Sequence, residues 1–134
     1  MVATPSERRI RVLLADDHDV ARRAVAGMLR PLPGVVLVGE AETQSDLACQ
    51  LLSTAADVLV IDDGLVDSSG WPLSHTRLPV IVMGLDGDAG YARRAHLLGA
   101  KAWVPKERAD LLLPDALASA TGRSRLPGAG SAAA

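Results

Sequence analysis

The chain has 134 residues, 49% of them apolar and 22% charged, and a net charge of −2. That suits one domain around one core and excludes a second large domain, as well as a basic surface that tracks phosphate backbones. Cys49 is the only cysteine and no apolar run has membrane-spanning or signal-peptide length, so an internal disulfide is excluded and a cytoplasmic setting without a membrane partner is expected.

Residues 1–9 are polar and read as an N-terminal tail. IRVLLA (10–15) is a short apolar run ending at Asp16 and Asp17, and it predicts a strand. In DVARRAVAGMLR (19–30), Val20, Ala24, Met28 and Leu29 fall near one helical face. Asp19 favours the start of that helix, and Arg22 and Arg23 read as its solvated face. PLPG (31–34) stops the helix, and VVLVGEA (35–41) predicts a second strand. Thr43 or Ser45 can cap a helix over 45–53 with Leu47, Leu51 and Leu52 inward and Cys49 as buried packing. DVLVI (57–61) and PVIVM (79–83) are continuously apolar, the pattern of strands covered on both faces. AGYARRAHLLGA (89–100) predicts a helix with Tyr91, Ala95 and Leu98 inward, Arg93 and Arg94 in solvent, and Gly99 closing it. KAWV (101–104) is a fifth strand, and 108–120 a last helix that tolerates Pro114 near its start. Residues 121–134 read as a linker or disordered tail.

The alternation of strands and helices predicts one domain over 10–120, a five-stranded parallel α/β sheet with helices on both faces. One gap breaks it: residues 63–78 carry no helical face. Ligand sites in such sheets lie beyond the carboxyl ends of the strands. Asp16, Asp17 and Asp62 all fall there, and like charges so close need a cation. A hard divalent ion with oxygen ligands answers that need, and Mg²⁺ keeps room for waters and a phosphate oxygen. A carboxylate beside it can attack phosphorus and form an aspartyl phosphate. Lys106, just past the fifth strand, can add a point charge from the same rim.

LLADDH, VVLVGEAET and ADVLVID, followed by LPVIVM and LGAKAWVPK, resemble the receiver domain of response regulators, NarL/FixJ-type subfamily, over about residues 9–120. The resemblance implies a flavodoxin-like sheet in the order 2-1-3-4-5, with the third helix here short or missing. It implies a signal-input domain of a two-component phosphorelay rather than an enzyme. Its partners would be a histidine kinase, or none for an orphan regulator, with homodimerisation allowed and DNA reached only through an output domain outside these residues. By position, Asp62 matches the phosphoacceptor, and Asp17, Asp16, Asp62 and the backbone carbonyl of Gly64 match the Mg²⁺ site. Lys106 matches the lysine that contacts the phosphoryl group, and Trp103 the aromatic that changes rotamer on activation.

Three departures stand out. Gly84 occupies the position where the family has Thr or Ser. LVD replaces the Met-Pro that follows the phosphoacceptor, and Asp62 and Gly84 lie only 22 residues apart. These favour an alternative, a phosphorylation-independent module for dimerisation, interaction or ligand sensing. Asp63 is a second candidate phosphoacceptor. IDDGLVDSS is also similar to the haloacid-dehalogenase DxDGT motif, but that motif needs one residue between its aspartates. His18 reads as a loop residue, and His75 and His96 lack metal-ligand spacing.

Overall fold

The computed structural model describes residues 8–85 and 89–126. The ends of both predicted tails, 1–7 and 127–134, lie outside them. The elements are β1 (Ile10–Ala15), α1 (Asp19–Leu29), β2 (Val35–Ala41), α2 (Gln44–Ser53), β3 (Val58–Asp62), β4 (Val80–Gly84), α3 (Ala89–Leu97), β5 (Ala102–Pro105) and α4 (Ala109–Ala120). The five strands are parallel and pair in the order β2-β1-β3-β4-β5. The parallel sheet is the one expected from the alternation, and its order is the flavodoxin-like one that the resemblance implies.

Strand side chains alternate between the two faces of a sheet, and the core divides accordingly. One cluster joins Val12, Leu14, Val58, Val60 and Ile81 to Val25 and Leu29 of α1 and Leu113 and Leu117 of α4. The other joins Leu13, Leu59, Ile61, Val80 and Val82 to Leu47 of α2 and Ala95 of α3. Every residue of β3 and β4 is buried, which is why both read as unbroken apolar runs. Leu126, beyond α4, is buried in the first cluster.

Three helix faces differ from expectation. On α1 the buried residues are Arg22, Val25, Ala26 and Leu29, while Val20 is exposed. Val20 and Val25 lie about 140° apart round a helix of 3.6 residues per turn, and the sheet takes the Val25 side. On α2, Thr43 caps the helix by accepting from the Asp46 N–H at 3.0 Å, and Leu47 is buried, but Leu52 and Cys49 are exposed. On α3, Tyr91 is 46% exposed and lies over Trp103 instead of entering the core.

No α-helix links β3 to β4. A 3-10 turn over Asp63–Leu65 leads into a loop organised by Asp67. One oxygen of Asp67 accepts the Ser69 N–H at 2.9 Å, the Ser69 hydroxyl at 2.6 Å and the Trp71 N–H at 3.0 Å. The hydroxyl bond from Ser69 is the main reason its carboxyl is held below the ordinary value of 3.8; the backbone bonds add to it and desolvation opposes them. A lowered folded-state pKa means that the stabilisation is present above 3.8 and is lost as pH falls through the folded value. Asp67→Ala is expected to speed amide hydrogen exchange at Ser69 and Trp71 at neutral pH. Unchanged protection at both amides would remove Asp67 as the organiser of this loop.

Candidate functional site

Register alone brings the acidic residues together. Ala15 of β1 pairs with Ile61 of β3, so Asp16 and Asp62 leave adjacent strands side by side. Asp62 pairs with Met83, and Gly84 with Pro105, which places Lys106 on the same carboxyl-end rim.

Lys106 Nζ donates to Asp16 Oδ2 at 2.6 Å and lies 2.7 Å from Asp62 Oδ1. The side chains of Lys106, Asp16 and Asp62 are 9%, 3% and 7% exposed. Burial works against the ammonium, but its hydrogen bonds to Asp16 and Asp62 outweigh that and raise its pKa above the ordinary 10.5. The second oxygen of Asp62 accepts the Gly64 N–H at 2.9 Å. A Cβ on Gly64 would come within 2.8 Å of that oxygen, so a side chain there would push the Asp62 carboxylate out of its present position.

His18 is more than a loop residue. Its backbone N–H donates to Asp16 Oδ1 at 2.9 Å, and its Nδ1 lies 3.0 Å from the same oxygen and 3.2 Å from Asp17 Oδ1. Ligand atoms of Asp16, Asp17, His18 and Asp62 all lie within 4.8 Å of one another, with Asp17 open to solvent.

Asp63 is not among these ligand atoms and pairs with Arg94 of α3 at 3.2 Å. Arg94 is therefore engaged rather than freely solvated. Gly84 and Trp103 flank a cavity of about 210 Å³ that also touches His18, Asp62, Gly64 and Tyr91.

Arg22 is the functional neighbour that sequence reasoning missed. It is buried, not solvated. Nη1 donates to the Asp16 carbonyl at 3.2 Å, Nη2 to Asp19 at 2.6 Å and Glu42 at 3.0 Å, and Nε to Glu40 at 3.3 Å. Burial opposes its charge, yet these carboxylates together raise its pKa. The available signal was three acidic residues at the ends of the neighbouring elements, but only the β1–β2 pairing brings Glu40 and Glu42 to Arg22.

No protein-family model matches the chain. The DNA-binding transcriptional activator DevR/DosR of Mycobacterium tuberculosis is 30% identical over 105 residues, which is 73% of this chain and 48% of that protein. Response regulator GacA of Pseudomonas viridiflava is 26% identical over 103 residues, 72% of this chain and 48% of that protein. The non-phosphorylated receiver domain of the stress response regulator RcsB from Escherichia coli superposes with a TM-score of 0.70 at 25% identity, over 87% of this chain and 97% of that one. This chain is a response-regulator receiver domain. The receiver fold is matched as well by the signal receiver domain of the putative regulator NarL from Mycobacterium tuberculosis, with a TM-score of 0.73 at 22% identity over 87% of this chain and 99% of that one. The receiver described here spans about half the length of the curated relatives it matches. None of its described helices is long and apolar enough to cross a membrane.

Proposed function

We propose that this receiver accepts a phosphoryl group on Asp62 in a Mg²⁺-dependent reaction. It would act as the cytoplasmic input of a two-component pathway fed by a histidine kinase and pass the signal to transcription through an output domain. The observation that carries this reading is the buried Asp62–Lys106–Asp16 bridge on the sheet rim, with exposed Asp17 beside it. The names of DevR/DosR, a transcriptional activator, and of RcsB, solved on DNA, support the output assignment.

The donor set fits the ion. Asp16, Asp17 and Asp62 offer hard oxygens around one point, and Asp17 keeps an open side for water. They would hold Mg²⁺ together with the Gly64 carbonyl, and the bound ion supplies positive charge against phosphoryl oxygens. Asp62 carries out the displacement. One carboxylate oxygen forms a bond to phosphorus as the donor's own bond to phosphorus breaks, and for a phosphohistidine the leaving imidazole keeps that electron pair. Lys106, already 2.7 Å from Asp62, is placed to pair with the transferred group. The Gly64 N–H keeps Asp62 oriented.

The test is the intact mass of the protein after incubation with Mg²⁺ and a small phosphodonor. One phosphoryl group is expected on wild type, and none on Asp62→Asn, without Mg²⁺, or with the metal site weakened by Asp17→Asn. An unmodified wild type, alongside a competent receiver as positive control, rules the reading out. Uptake by Asp62→Asn would move the acceptor to Asp63. The second reading, a phosphorylation-independent interaction module, is favoured by Gly84 and by the 63–79 connection, which carries no α-helix. It fails if Asp62→Ala abolishes the regulator's output in cells while the fold is retained.

A further inference from the structure

Gly84 ends β4 with ordinary backbone angles, so its conformation alone would admit any residue. A side chain there would have to displace Trp103. A Cβ at position 84 would lie 2.2 Å from Cη2 and 2.7 Å from Cζ2 of the indole. The ring thus fills the volume that a side chain at 84 requires. Tyr91 of α3 stacks on the same ring, with centroids 6.1 Å apart and planes 10° from parallel. The indole Nε1 is buried without a hydrogen-bond acceptor among the described residues. A buried donor left unpaired is a cost to the fold, so packing rather than hydrogen bonding keeps the ring in place.

We propose that Gly84 and Trp103 form a size lock. Removal of the side chain at 84 holds the indole inward, beside the cavity that carries Asp62, whatever the state of that carboxylate. The lock itself is a matter of volume; only its independence from phosphorylation rests on the reading of Asp62 given above. The surface built by Tyr91, Trp103 and their elements then has one state, and a partner that reads it receives no signal from Asp62 through this ring.

Fluorotryptophan-labelled full chain gives one fluorine resonance each for Trp71 and Trp103, assigned with Trp103→Phe. Gly84→Ala is expected to shift the Trp103 resonance and to raise its solvent isotope effect several-fold, leaving Trp71 in place. Gly27→Ala, where a Cβ meets nothing within 4 Å, should move neither. An unmoved Trp103 resonance in Gly84→Ala overturns the lock. Should Gly84→Ala fail to fold, Trp103→Val in the same chain restores folding if the clash is the cause, and absence of rescue overturns the lock equally. In wild type, the Trp103 resonance is expected to stay put when intact mass confirms a phosphoryl group on the protein. Movement on phosphorylation overturns the proposal. Failure to take up phosphoryl refutes the Asp62 reading instead and leaves the lock to be decided by Gly84→Ala.

Discussion

Lys106→Met is expected to remove about 3–5 kcal/mol of folding stability, because it leaves two buried carboxylates without the cation that joins them. Both carboxylates and the ammonium are less than one-tenth exposed, so solvent screens little of this loss. Two consequences separate it from a simple packing defect. Adding Asp62→Asn to Lys106→Met should recover part of the stability, since Asp16 is then the single buried carboxylate of the bridge. The wild-type advantage should also follow the lysine's titration. Its folded-state pKa is raised, so the stabilisation is complete below the ordinary 10.5 and disappears as pH climbs through the folded value. Urea unfolding of the three proteins at neutral and alkaline pH tests both. A Lys106→Met protein within about 0.5 kcal/mol of wild type would mean that the bridge contributes nothing to stability.

Arg22→Ala is expected to destabilise by about 1–3 kcal/mol, chiefly by stripping a buried carbonyl of its donor and leaving three carboxylates facing one another. The figure is smaller than for Lys106 because Asp19, Glu40 and Glu42 are 54%, 29% and 65% exposed and water takes up part of the loss. Arg22→Lys keeps the charge but cannot reproduce a fork that reaches four partners, so an intermediate loss is expected. Faster amide exchange at Asp16 and Asp17 in Arg22→Ala would tie the residue to the acidic loop as well as to the fold. Urea unfolding indistinguishable from wild type would reduce Arg22 to a spectator.

The strands and the acidic rim were legible because they depend on local patterns. β3 and β4 are covered on both faces and are written as unbroken apolar runs. Once their order is set, Asp16, Asp62 and Lys106 meet by register. The missing crossover helix was legible too, from the lack of any apolar stripe in 63–78. What escaped depends on tertiary partners. Arg22 looks like any surface arginine until β2 brings Glu40 and Glu42 beside it. The inward face of α1, read from Val20, Ala24, Met28 and Leu29, names only Leu29 among the buried residues, because packing against the sheet selects Val25 and Ala26 instead. Cys49 was expected inside because cysteine usually packs as a small apolar group, yet α2 turns it outward. Gly84 is visible in the sequence as an absence; that the Trp103 ring occupies the vacated space is a fact of three dimensions.

The outward turn of Cys49 has a practical meaning. It is the sole thiol of the chain, it is accessible, and it lies on a helix that contributes no ligand atom to the acidic cluster. A maleimide dye or nitroxide can therefore be attached at one defined point without engineering and without touching the metal ligands. The same accessibility lets two copies couple through oxygen-driven disulfide formation during storage. Self-association of this receiver is thus properly measured under reducing conditions or on Cys49→Ser, where any dimer that remains is held by surfaces rather than by sulfur.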